Sequence, residues 1–119
     1  MDLWTYKAAC VRVIDGDTLV ADIDLGFHTT RREHLRLKGI DAPEIHATDP
    51  AERAKAQEAK LELALLVASH EGLLIKTYKD KREKYGRFLV DIYVTRDDGT
   101  QLLVNTDLID RGFVKPLPS

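Results

Sequence analysis

The sequence predicts a mainly-β fold of the α+β class: a five-stranded OB-type barrel with one long helix after strand 3 and a short C-terminal helix. Three observations carry this reading. Five short segments are β-prone, most of them alternating apolar and polar residues. One segment, beginning near Pro50, repeats its apolar residues at helical spacing instead. No internal repeat divides the 119 residues, and five strands interrupted by a helix suit a closed barrel better than a sandwich.

The elements follow in order. Tyr6 to Ile14 is β-prone, anchored by Val11, Val13 and Ile14. Asp15-Gly16-Asp17 reads as a turn, with Gly16 supplying positive φ. Leu19, Ala21, Ile23 and Leu25 then alternate with Val20, Asp22 and Asp24, completing a hairpin. Gly26 to Thr30 forms a loop before the third run, where Leu35 and Leu37 alternate with Arg36 and Lys38. If the leucines face the core, both basic side chains face away from it. Pro43 forces Ala42 into extended geometry, so Gly39 to Glu44 leaves the sheet as a fixed loop.

Asp49 or Thr48 caps the long helix, with Pro50 in its first position and Glu52 in its first turn. Ala56, Ala59, Leu63, Leu66 and Val67 form its apolar face, Lys55, Glu58 and Glu62 its wet face, and Gly72 ends it. Leu73 to Tyr78 is the fourth strand, followed by a charged connection, Lys79 to Lys84. Gly86 opens the fifth strand, which runs through Val94. Asp98-Gly99 marks a turn, Leu102 to Val104 pairs back as a short arm, and Asn105 caps a brief helix, Thr106 to Arg111, closed by Gly112.

Composition bounds the function. With 44% hydrophobic and 32% charged residues, the chain reads as one domain spanning 1–119. At this length roughly two-thirds of the unfolded surface is buried, enough for one core without staples. The single Cys10 excludes an intramolecular disulfide and a cysteine-based zinc cluster; it reads as a small buried hydrophobe. The formal charge of −2 argues against coating nucleic acid by bulk electrostatics. The N-terminus lacks the pattern of a signal peptide and no run reaches transmembrane length, so a cytoplasmic location without a membrane partner is expected, with export by another route left open. Charge is unevenly spread. Basic residues gather between Lys76 and Arg87 and again at Arg31, Arg32, Arg36 and Lys38, while carboxylates gather at Asp15, Asp17, Asp22, Asp24, Asp41 and Glu44. Such a pattern suits a metal-assisted phosphate site, and it also suits an ordinary mixed surface.

The chemistry depends on whether these groups meet. A hard divalent cation takes several oxygens, and water fills its remaining positions. Asp17 at the hairpin turn and Asp41 at a strand end offer two carboxylates, and the Ala42 carbonyl, fixed by Pro43, a third oxygen. Glu44 is available to hold or deprotonate water. Phosphodiester hydrolysis also requires donors aimed at equatorial oxygens, where the planar fork of arginine serves best; Arg36 and Arg87 are the natural pair.

Three blocks, Val13-Ile14-Asp15-Gly16-Asp17-Thr18, Arg36 to Glu44, and Lys84-Tyr85-Gly86-Arg87, resemble in order and separation the signature of the staphylococcal nuclease (thermonuclease) family. Val104-Asn105 through Arg111-Gly112 resembles the segment that follows, so the resemblance runs from about Tyr6 to Lys115. It implies that Asp17, Asp41 and the Ala42 carbonyl ligate Ca2+, with Mg2+ or Mn2+ as substitutes, and that Asp15 stands behind them. It implies that Glu44 activates the attacking water, and that Arg36 and Arg87 grip the scissile phosphate, Arg87 protonating or stabilising the leaving oxygen. Lys84 and Tyr85 would contact a neighbouring phosphate. The implied activity is endonucleolytic cleavage of DNA or RNA with little sequence specificity, on exposed or single strands, leaving 3′-phosphate ends.

The resemblance also shows departures. Ala42 stands where threonine is common, which a role carried by the backbone tolerates. A further tyrosine-bearing stretch and helix are expected after Pro116-Leu117-Pro118; without them affinity and monomer stability would fall, so either a monomer or a homodimer that covers the exposed surface is expected. A catalytically silent nucleic-acid-binding module of the same family is the alternative, as is an oligosaccharide- or protein-binding barrel of this architecture. No ligand or arginine of the pattern is eroded in this chain, which favours the enzyme. His28, His34, His46 and His70 show no paired ligand spacing and read as surface, and Trp4 and Phe113 read as packing at the edges of the domain.

Overall fold

The computed structural model describes residues 4–68, 72–82 and 85–117, with 79–82 as backbone. Its elements are β1 (Thr5–Asp15), β2 (Thr18–Asp24), β3 (Thr30–Leu37), β4 (Ile40–Asp41), α1 (Pro50–Ala68), β5 (Leu73–Arg82), β6 (Phe88–Thr95), β7 (Gln101–Leu103), α2 (Val104–Asp110) and β8 (Lys115–Pro116). The main sheet has the order β3-β2-β1-β5-β6-β7, and a parallel pairing of β3 with β6 closes β1, β2, β3, β5 and β6 into the expected five-stranded barrel. The closing register sets Leu35 beside Phe88, Arg36 beside Leu89 and Leu37 beside Val90.

The alternating residues fill the barrel. Leu19, Ala21 and Ile23 of β2, Leu35 and Leu37 of β3, Ile75 of β5, and Val90, Ile92 and Val94 of β6 are buried in one cluster. Ala59, Leu63 and Val67 of α1 join that cluster, as do Val104 and Leu108 of α2. Asp49 caps α1, accepting the Ala51 N–H at 3.0 Å through its carboxylate. Cys10 is half-buried against the core, and burial pushes its thiol pKa up. Among the described residues no helix is long and apolar enough to cross a membrane.

Five sequence expectations are corrected. β3 starts at Thr30, because seven register pairs with β2, from Asp24–Thr30 to Thr18–Arg36, hold its basic start in the ladder. Arg32 is kept there by an ion pair with Asp22 and Arg31 by one with Glu33. β5 runs to Arg82 where a charged connection was expected, since Arg82 pairs with Phe88 past a register shift. Leu25 lies beyond the end of β2 and is exposed. Gly16 has no positive φ; its requirement is space, because a Cβ there would lie 2.7 Å from the Ala59 Cβ and 3.0 Å from the Ala42 Cβ. Finally, α2 starts at Val104, and Leu103 occupies its cap position without a side-chain bond.

Asn105 is therefore no cap. It is buried, and its amide nitrogen donates to the carbonyls of Lys38 at 2.9 Å and Val90 at 3.1 Å, while its oxygen accepts the Ile92 N–H at 3.1 Å. One side chain thus fastens α2 to β6 and to the turn between β3 and β4. The same amide lies 3.4 Å from Asp91, which accepts the Tyr78 hydroxyl hydrogen bond. Burial first, and then this hydrogen bond, push the Tyr78 pKa up to about 12. Below the ordinary tyrosine value near 10 the phenol is protonated folded or unfolded, so its contribution is complete. Above it the unfolded chain ionises first, and stability is lost as pH rises toward the folded value. Tyr78→Phe is expected to flatten the fall in denaturation midpoint across that alkaline window; an unchanged slope would mean that the phenol does not couple to folding.

Candidate active site

The β1–β2 turn, the β3–β4 corner and the start of β6 converge on a cleft of about 820 Å3. Asp15, Asp17, Arg36, Asp41, Ala42, Glu44, Tyr85 and Arg87 all line it. These are the residues singled out in the sequence, except Lys84, which lies outside the described residues. Glu33 and His34 line it too. His34 was legible in principle, because it lies two residues before Arg36 on β3 and shares its face.

Asp17 is the centre of the site and is only 4% exposed. Its Oδ2 accepts the Ala42 N–H at 2.9 Å and pairs with Arg36 Nη1 at 2.7 Å, while its Oδ1 accepts the Thr18 hydroxyl at 2.9 Å. Arg36 spans outward from there: its Nη2 donates to the Ile40 carbonyl at 3.0 Å and lies 3.5 Å from Asp41 Oδ1. Both carboxylates therefore meet one guanidinium. Asp41 and Glu44 are exposed toward the cleft. Ala42 touches Asp17 through its N–H, so the β3–β4 corner is tied to the β1–β2 turn by a backbone bond that any residue type would make.

Sequence reasoning missed Thr18. Its buried hydroxyl donates to Asp17 and accepts from Arg87 Nη1 at 3.1 Å, joining a carboxylate to an arginine distant in sequence. Asp17 is its immediate neighbour, but Arg87 lies 69 residues away, so only the folded chain reveals that the hydroxyl joins the two. The Arg87 guanidinium also lies over the Tyr85 ring, 5.5 Å from its centroid, and Tyr85 is 72% exposed.

Asp15 supports Asp17 by accepting its backbone N–H at 3.1 Å. Burial, followed by its side-chain hydrogen bond and charge repulsion with Asp17, pushes the Asp15 pKa up to about 6. Burial also opposes the charge on Asp17, yet the Asp15 hydrogen bond, the Ala42 N–H and Arg36 outweigh it and hold its pKa below the ordinary value. Five acidic residues face two arginines among the described residues lining the cleft.

The donor set fits a hard cation. Asp17 and Asp41 are carboxylates brought to one place, and the local charge is negative. Among the described residues no group of three Asp, Glu, His or Cys side chains converges on one metal position, so such an ion would rely on the two carboxylates, a backbone oxygen and water. α1 fixes this arrangement from below, through the contact of Ala59 with Gly16. Gly16→Val is expected to destabilise the fold by about 1–3 kcal/mol, as overpacking typically does. The check is urea denaturation; an unchanged midpoint would mean that the helix yields freely.

Comparison with known proteins bears on this cleft. The family model described as Staphylococcal nuclease homologue matches residues 34–115. A thermonuclease from Staphylococcus hyicus is 26% identical over 112 residues, covering 94% of this chain. The chain spans 62% of that relative's length.

Proposed function

This chain belongs to the staphylococcal nuclease family, and we propose that it is a metal-dependent nuclease hydrolysing phosphodiester bonds of single-stranded or exposed DNA or RNA with little sequence specificity. The observation that carries the reading is the joining of Asp17, Arg36 and Asp41, with Arg87 linked to the same centre through Thr18. A calcium ion, or magnesium or manganese in its place, would be held by Asp17, Asp41 and the Ala42 carbonyl, and would supply positive charge to the phosphate oxygens.

The protein's own groups do the rest. Glu44, exposed at the cleft wall, takes a proton from the attacking water. Arg36 and Arg87 donate to the phosphate as charge builds on its equatorial oxygens, and Arg87 serves the leaving oxygen. Asp15 and Thr18 hold Asp17 and Arg87 in position, so these charges do not reorganise during the reaction. Tyr85 and Lys84 contact a neighbouring phosphate. A 3′-phosphate product follows from attack with the 5′ oxygen leaving.

The test is cleavage of a fluorophore-quencher single-stranded DNA with calcium, magnesium, manganese or EDTA. EDTA is expected to abolish cleavage, and Glu44→Gln to lower kcat/KM at least about a hundredfold, the scale of general-base catalysis. Cleavage unchanged in Glu44→Gln would remove Glu44 from the mechanism. A folded protein that shows no cleavage with any of the three metals would instead be a silent nucleic-acid-binding module.

A further inference from the structure

A second cavity, of about 240 Å3, opens at the barrel end away from the β1–β2 turn that α1 covers. Trp4, Tyr6, Leu25, Tyr78 and Phe88 form its apolar walls, with Arg31 on its rim. Trp4 and Leu25 remain 42% and 43% exposed. The position of Trp4 is built: its backbone has φ of 66°, and its carbonyl accepts the Thr77 N–H at 2.8 Å.

We propose that this cavity is a subsite for one unpaired base of a nucleic-acid strand whose phosphates run into the active-site cleft. The inference rests on the nuclease reading and extends it. Three features select this occupant. The walls are rich in aromatic faces, on which any base stacks without sequence preference. The volume suits one ring system, since a cavity of about 150 Å3 takes a single benzene. A cation accompanies the rings: Arg31, which lines the cavity beside its ion pair with Glu33, lies over Phe88 at 6.0 Å, a positive group suited to a phosphate-bearing strand rather than an apolar peptide.

Continuity with the cleft gives the register. Glu33 lines both cavities, and Phe88 follows Arg87 directly in the chain. Along β3 the five steps from Arg31 to Arg36 span about 16 Å at the usual strand rise of ~3.3 Å per residue. At the stacked spacing of ~3.4 Å that is no more than about five nucleotides, and fewer for an extended strand. A dinucleotide bound at Arg36 therefore falls short of Trp4, and a decamer reaches it.

Trp4 is the chain's one tryptophan, so its emission reports this cavity independently of cleavage. The experiment titrates Trp4 fluorescence with a thymidine decamer and with a dinucleotide, both in EDTA. In parallel, kcat/KM is measured on the same two substrates for wild type, Trp4→Ala and Leu25→Glu. The decamer is expected to quench Trp4 at concentrations at least tenfold below those the dinucleotide needs. Each variant is expected to lower the decamer-to-dinucleotide ratio of kcat/KM about tenfold, through KM. Equal losses on both substrates would indicate a structural role and overturn the subsite, as would a preserved ratio. Quenching by an apolar peptide but not by the decamer would overturn it in favour of a protein ligand. Should the wild type cleave neither substrate, the nuclease reading fails alone, because the titration still decides whether a base binds.

Discussion

Arg36→Ala is expected to lower kcat/KM for single-stranded DNA by about two to three orders of magnitude, the usual cost of removing one preorganised donor, while enlarging the thermal shift that calcium produces. The two effects share a cause. Arg36 bridges Asp17 at 2.7 Å and Asp41 at 3.5 Å, so it neutralises the carboxylates that a cation would take. Without it, Asp17 is left almost fully buried beside like charges, and the metal-free variant melts lower than wild type. A divalent ion then replaces the lost positive charge and restores more stability than it adds to the wild type. Thermal denaturation across a calcium series, beside single-turnover cleavage, measures both. A calcium shift smaller in the variant would place the cation away from Asp17 and Asp41.

Asn105→Ala is expected to cost about 3 kcal/mol or more of folding stability, since each orphaned buried group costs ~1–3 kcal/mol. Two backbone groups lose this partner, the Lys38 carbonyl and the Ile92 N–H, and the Asp91–Asn105 contact goes with them, whereas the Val90 carbonyl keeps the Lys38 N–H at 2.8 Å. The urea midpoint should fall with little change in slope. Activity per folded molecule should fall as well, because Lys38 begins the turn that carries Arg36 on one side and Asp41 on the other. A loss below about 1 kcal/mol would show that water replaces the amide at little cost.

What was legible in the sequence was what local pattern encodes. Leu19, Ala21 and Ile23, or Ala56, Ala59 and Leu63, announce their periods, and both sets are buried as expected. Pairings between distant segments were not legible. The β4–β8 pair joins Ile40 to Pro116 and Asp41 to Lys115, and nothing in either dipeptide advertises a strand. Asn105 has the chemistry of a cap, and only the approach of β6 and the β3–β4 turn recruits its amide instead. In the site, the residue types of Asp17, Arg36, Asp41, Glu44 and Arg87 could be read, whereas their meeting could not. Thr18 shows why: a threonine after a turn is commonplace until Asp17 and Arg87 are found on either side of its hydroxyl.

The parallel β3–β6 closure has a kinetic meaning. Arg36 and Arg87 belong to the two strands on either side of that seam, or to its immediate approach, and Thr18 joins them across β2. Parallel pairing between segments so far apart in sequence is the kind of contact a chain forms late, after its local hairpins. The cleft is therefore expected to assemble late in folding, together with the seam that closes the barrel. On the nuclease reading proposed above, an unfinished chain has its catalytic groups scattered, and cleavage requires the closed barrel.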